Sequence, residues 1–271
     1  MFVDRSHTKG RMRLIPTGDA GCLITGCAPG TLESASADAR RLPDLCQPAA
    51  DAAMCSNYRL PVATDLAVDF DCEPATEDFE PVAYPGYRAP MIVLNRAGTR
   101  LVAEAAVFGL VPPWAKDMKI TRSTYNARSE TVAEKPAFRS AWKKRQFCLV
   151  PTLGFYEPNY ETGKAVRWQI CRIDQQPFAL AGIREWRREP DGRELRSFSM
   201  LTINADEHPL MSRFHAPDDE KRSVVVVPPA DYRAWLAAES DEEARACLKP
   251  MNAEEFEGVA DPAPPRKRRE T

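Results

Sequence analysis

At 271 residues, 44% of them hydrophobic and 28% charged, the chain has the composition of a globular protein long enough to bury a real core. A net charge of −2 leaves out the basic balance of a protein that binds nucleic acid with its whole surface, and no apolar run reaches the roughly 18 residues of a membrane helix. Eight cysteines without a C-x-x-C pair, only three histidines and no export-signal pattern argue against zinc and against secretion. The expectation is a cytoplasmic protein with reduced thiols, most of them small buried hydrophobes.

Residues 1–53 are rich in Ala, Asp, Arg, Gly and Ser and follow neither a period of 2 nor one of 3.6, so they read as poorly ordered. The texture changes near Tyr58. "PMIVLN" (90–95) and "LVAEAAVFGL" (101–110) read as two strands joined by a turn, and "VPPW" breaks the second. "SETVAEKPAFRSAWKKR" (129–145) reads as a helix with Val132, Ala133, Phe138 and Trp142 on one face, bent or divided at Pro136. "QFCLVP" is a buried-type strand, "GFYEPNY" a turn or strand end, and "AVRWQICRI", "FALAGIREW", "SFSMLTINA" and "SVVVVP" are further strands. "PADYRAWLAAES" and "DEEARACL" read as helices, each preceded by Pro, Ser or Asp. Many strands, few helices and no βαβ alternation give an α+β class with a curved, barrel-like mixed β-sheet and flanking helices. The charged runs at 139–146, 184–189 and 220–222 read as solvated faces. The Pro-rich, basic end reads as disordered.

Four short segments carry the groups that do chemistry: "MCSNYR" (54–59), "YNARSET" (125–131), "CLVPTLGFYEPNY" (148–160) and "MSRFHAPDDEKRSVVVVP" (211–228). Taken singly, Asn126 reads as a turn residue, Glu157 as a surface carboxylate and His215 as a core histidine. Taken together they supply one thiol, one amide, one carboxylate and one imidazole, each at the end of an apolar strand, where positions converge on a pocket.

In this order the four segments resemble the SOS response-associated peptidase family, whose members recognise abasic sites in single-stranded DNA. The resemblance covers about residues 54 to 240 and rests on the N-A-R-S-E-T, G-F-Y-E and R-F-H-x-P-x-D-E-K-R runs. It implies that Cys55 is the reactive residue, exposed as the N-terminus when Met54 is removed. It implies catalytic roles for Asn126, Glu157 and His215, and DNA contacts for Arg128, Trp114 and Arg59. Packing beside Pro112 and Pro113 is the competing reading of Trp114. The family often has an arginine where this chain has Asn57, and a tryptophan where it has Pro158. The implied domains are a leader at 1–53, either a start-site artefact or a removed propeptide, a catalytic domain at 54–255 and a disordered basic tail at 256–271. The implied partner is single-stranded DNA with abasic sites, met by a monomer that associates with the nucleoid. No metal, organic cofactor or membrane is implied.

The chemistry explains why that cysteine must come first. A ring-opened abasic sugar is an aldehyde; a 1,2-aminothiol condenses with it to an imine, and the thiol closes a thiazolidine. An α-amine with a pKa near ~7.7–8.0 has a neutral fraction at pH 7 that a lysine at ~10.4 lacks. In the chain as written the Cys55 nitrogen is an amide. Translation from Met54, cleavage after Met54, or a persistent leader on a non-covalent DNA-binding relative are the three ways to account for it. A cysteine peptidase with Cys55 as nucleophile and His215 as base is the enzymatic alternative, directed at the leader itself.

Overall fold

Alternating apolar residues on the longer strands need cover on both faces, and the chain supplies it by closing a sheet on itself and wrapping helices outside. The computed structural model describes residues 56–262; the leader, Met54, Cys55 and the tail from residue 263 lie outside the described residues. In chain order the elements are β1 (Tyr58–Arg59), α1 (Ala63–Asp69), β2 (Cys72–Glu73), β3 (Val82–Ala83), β4 (Arg88–Leu94), β5 (Leu101–Phe108), α2 (Thr121–Thr124), β6 (Asn126–Arg128) and α3 (Arg139–Lys143). They continue with β7 (Phe147–Thr152), β8 (Gly154–Asn159), β9 (Val166–Arg172), β10 (Phe178–Arg188), β11 (Glu194–Asn204), β12 (Arg222–Val224), β13 (Val226–Val227), α4 (Tyr232–Leu236), α5 (Asp241–Ala246) and β14 (Phe256–Ala260).

Strands β11, β10, β7, β4 and β5 pair in that order, and a parallel contact of Ser197 and Phe198 with Val107 and Phe108 joins β11 back to β5. The sheet is thereby closed into a five-strand mixed barrel. A second sheet, ordered β14-β9-β8-β1-β3, is antiparallel throughout. Period-2 alternation then sorts the apolar side chains. Met91, Phe108, Cys148, Val150, Leu180 and Phe198 share one cluster with Tyr58, Phe155 and Phe256 of the second sheet. Ile92, Leu149, Ala181 and Leu201, their neighbours in sequence, turn the other way onto Trp142, Trp235 and Leu66 of the helices. A strand with both faces covered reads as a continuous apolar run, as "FCLV" does. Each large side chain so buried contributes about 1.5–3 kcal/mol. The class expected from the sequence, α+β with a curved barrel-like sheet, is the class observed. Among the described residues no helix is long and apolar enough to cross a membrane.

Several elements differ from their sequence expectations. The helix over 129–145 shrinks to α3, preceded by turns. Residues 126–128, just before that span, pair with β11, Ser129 extends that pairing by donating to the Thr202 carbonyl, and Pro136 has no N–H to continue a helix from the preceding turn. "GFYEPN" is a full strand, because β1 lies on one side of it and β9 on the other. "SVVVV" divides at Val225, with β12 on β11 and β13 on β10. The tail does not begin at 256: Phe256–Ala260 adds a strand to β9, and Phe256 meets Phe178 edge to face at 5.1 Å. A basic, Pro-rich composition describes the end of the chain but not those five residues.

Candidate active site

The N-A-R run is a strand whose alternation separates chemistry from packing. Ala127 is fully buried in the helix-side cluster, while Asn126 and Arg128 turn to the opposite face. That face borders an open groove of about 510 Å³ lined by Trp114, Ser123, Asn126, Arg128, Lys135 and Phe138 among others. Trp114 reaches it because Gly109 lets the chain pass closely over α2. A Cβ on Gly109 would lie 2.7 Å from both the Thr121 Cα and its carbonyl oxygen, and its φ of +105° suits glycine alone. The loop is pinned where Arg187 Nη1 donates to the Ala115 carbonyl at 2.5 Å. Trp114 is 59% exposed, with its indole N–H donating to the Pro136 carbonyl at 3.4 Å. It is an exposed groove wall rather than a residue buried against Pro112 and Pro113.

Glu157 and His215 meet in a different, closed setting. Glu157 is central in β8, its side chain 1% exposed. Gly154 precedes it because any Cβ there would come within 2.9 Å of the Ile170 carbonyl, so the G-F-Y-E glycine permits the close β8–β9 approach. His215 follows a 3-10 turn at Met211–Arg213 and takes a φ of +67°, a left-handed conformation disfavoured for histidine. Two bonds hold it there. Its N–H donates to the Pro158 carbonyl at 2.8 Å, and its Nε2 lies 2.9 Å from the Arg222 carbonyl. A carbonyl only accepts, so Nε2 carries the proton and Nδ1 is left facing Glu157 Oε2 at 3.6 Å. That distance is longer than a hydrogen bond and short enough for a proton to be exchanged after a small movement. Burial pushes the His215 pKa below its usual 6.5; the hydrogen bond to the Arg222 carbonyl and the charge of Asp219 oppose it, the charges of Lys221 and Arg222 add to it, and the net lowering leaves the ring a neutral base at pH 7.

Arg222 ties the two settings together. The side chain is 2% exposed and forks onto Glu130, with Nη1 to Oε1 at 2.9 Å and Nη2 to Oε2 at 2.8 Å. The same guanidinium donates to Glu220 Oε1 at 2.8 Å and to the Thr202 carbonyl at 2.9 Å. Glu220 Oε2 in turn accepts from Arg128 Nη1 at 2.7 Å. Burial works against ionising Glu130, but the Arg222 fork holds its carboxyl below the usual range. Within the run at 220–222, Arg222 is thus buried while Glu220 stays exposed. Arg222 holds His215 with its carbonyl and the N-A-R-S-E-T segment with its side chain. Glu130 and Arg222 sit inside runs that sequence reading singled out, yet received no role, because mutual pairing across 92 positions leaves no local pattern.

Among the expected site residues, the structure gathers Trp114, Asn126 and Arg128 around the groove and joins Glu157 to His215. It does not gather Arg59. Arg59 pairs with Gly154 and therefore lies on the face of the second sheet opposite Glu157, where its Nη1 approaches Gln169 Oε1 at 3.5 Å. Cys55 lies outside the described residues. The cysteines Cys72 and Cys148 are poor nucleophiles, their thiols pushed up to about 12 by burial. Among the described residues no group of three or more His, Cys, Asp and Glu side chains is placed to hold a metal ion.

Known proteins resemble this chain in sequence and in fold. The abasic site processing protein YoqW of Bacillus subtilis is 31% identical over 153 residues, covering 55% of this chain and 65% of that protein. The chain thus matches a little under two thirds of that relative's length. The abasic site processing protein YoaM of the same organism is 29% identical over 214 residues, covering 75% of this chain and 89% of YoaM. A crystal structure of a Bordetella bronchiseptica protein superposes with a TM-score of 0.70 at 30% identity, over 77% of this chain and all of that one. The sequence pattern of the family described as SOS response associated peptidase (SRAP) matches residues 54–260, from the Met54–Cys55 pair through the last residue of β14. The chain belongs to the SOS response-associated peptidase family.

Proposed function

We propose that the chain captures abasic sites in single-stranded DNA as a covalent thiazolidine adduct of Cys55, once the peptide bond between Met54 and Cys55 is absent. One observation carries the reading: an open groove with an aromatic wall, an amide and a guanidinium is joined through Arg222 to a buried carboxyl–imidazole pair. The names of the relatives, abasic site processing proteins, support the substrate class.

The groove suits a nucleic-acid strand. Trp114 offers a stacking face worth about 1–3 kcal/mol per base. Arg128 offers a fork for a phosphate, and Asn126 an amide that both donates and accepts. The ring-opened sugar presents its aldehyde to the free α-amine of Cys55. Attack gives a carbinolamine, and loss of its hydroxyl as water gives the imine. The thiol then adds to the imine carbon, and its proton passes to the nitrogen as the ring closes. Every step moves a proton, and the Glu157–His215 pair serves each one. Nδ1 is an acceptor at pH 7, and Glu157 takes or returns the proton beside it. The same imine permits β-elimination of the 3′ phosphate, so strand cleavage is the competing outcome. The functional unit then runs from Cys55 through β14 and acts as a monomer, with residues 1–53 a leader and Met54 removed.

The reading is tested by incubating the protein with a single-stranded oligonucleotide containing one abasic site. A heat-stable shifted band on a denaturing gel is expected, and Cys55→Ala abolishes it. Intact mass should show a chain starting at Cys55. A chain shown by mass to start at Met1 that nevertheless gives the full adduct would sink the N-terminal-cysteine mechanism. Peptide cleavage without a shifted band would favour the peptidase alternative instead.

A further inference from the structure

Glu220 faces two arginines at once. Its Oε1 accepts from Arg222 Nη1 at 2.8 Å and from Asn204 Nδ2 at 3.2 Å. Its Oε2 accepts from Arg128 Nη1 at 2.7 Å. The carboxylate is therefore fixed by β11 and β12 independently of Arg128. The Arg222 hydrogen bond also holds its carboxyl below the usual range, so it is ionised at neutral pH. Arg128 is the freer partner. Its side chain is 50% exposed, and among the described residues the contact with Glu220 is the one hydrogen bond its guanidinium makes.

We infer that Glu220 is a positioning residue for Arg128: it holds the guanidinium by one nitrogen beside the groove lined by Trp114 and Asn126, leaving the remaining donors to fork onto a phosphodiester. The inference rests on the proposed reading that this groove takes single-stranded DNA. The physical basis is conformational. A free arginine side chain gives up rotamer entropy when it is fixed on a ligand, and one already tethered gives up less. Because Arg222 and Asn204 keep Glu220 satisfied, Arg128 can also shift toward a phosphate without leaving that carboxylate unpaired. The consequence runs against simple charge. Removing a carboxylate beside an anionic ligand strengthens binding if Glu220 acts only as a charge, and weakens it if Glu220 positions Arg128.

The test uses the full chain and a single-stranded oligonucleotide with a tetrahydrofuran abasic analogue, which cannot open to an aldehyde and so reports non-covalent binding alone. Fluorescence anisotropy compares the unsubstituted chain with Glu220→Gln, Arg128→Ala and the double variant. Glu220→Gln is expected to bind about three- to five-fold more weakly, in line with the coupling of one exposed ion pair. Its salt dependence should be shallower, and its effect should vanish in the Arg128→Ala background. If Glu220→Gln melts below the assay temperature, Glu220→Asp replaces it. Asp keeps the charge, shortens the reach by one methylene and carries the same expectation. Equal or tighter binding by the variant overturns the inference, and so does an undiminished loss in the Arg128→Ala background. Failure of the unsubstituted chain to bind overturns the functional reading itself, before any variant is compared.

Discussion

His215 is the residue whose chemistry depends most on its surroundings. A backbone carbonyl fixes its tautomer, a left-handed φ fixes its direction, and burial keeps it neutral. A histidine whose folded pKa lies below its unfolded value of about 6.5 binds fewer protons folded than unfolded. Its contribution to stability is therefore complete above pH 6.5 and is lost as pH falls below it. The lowered carboxylates Glu130 and Glu220 titrate under their usual value near 4.5, outside this window. We expect the melting temperature to drop between pH 7 and pH 5, and His215→Asn to flatten that slope. A slope unchanged by the substitution would show that another group is responsible. From sequence, His215 taken singly read as a core histidine, and only its place among the four segments and the family resemblance implied a catalytic role. In the structure the ring is buried and aims Nδ1 at the Glu157 carboxylate.

At the scale of elements, the site depends on two glycines that let backbone segments pass at close range. Gly154 brings β8 against β9, and Gly109 carries the chain from β5 over α2 into the Trp114 loop. Gly109→Ala places a methyl within 2.7 Å of the Thr121 backbone at a φ of +105°, where no flexible side chain can give way. A cost of about 1–3 kcal/mol or more follows from the strained conformation alone. Denaturant titration should show that loss, along with raised protease sensitivity near Trp114. A stability within about 0.5 kcal/mol of the parent chain would refute the close-approach argument. The strands were legible because their apolar runs are long. The helix expected over 129–145 was not, because its apolar spacing fits a set of turns equally well. The β11 pairing carried on through Ser129, and the missing N–H of Pro136, decide between them.

At the scale of the whole molecule, the second sheet depends on its last strand. β14 covers the outer edge of β9, and Phe256 packs on Phe178 within the barrel cluster. Truncation after residue 255, where composition alone places the end of the domain, should expose β9 as an edge and remove a buried phenylalanine. A loss of about 3–5 kcal/mol for the aromatic is expected, together with a tendency to associate through the open edge. Truncation after residue 262 should leave melting temperature and oligomeric state unchanged. If the two truncations behave alike, β14 is not part of the folded unit. The sequence by itself determined the class, the longer strands, and the four segments bearing the thiol, amide, carboxylate and imidazole, because period-2 burial and short motifs are local properties of the chain. Only the tertiary structure decided that β11 returns to β5 to close the barrel and that Arg59 points away from Glu157. It alone decided that Arg222 links His215 to Glu130 and Arg128. Those are contacts between residues up to 95 positions apart, set by register and packing, and no local pattern encodes them.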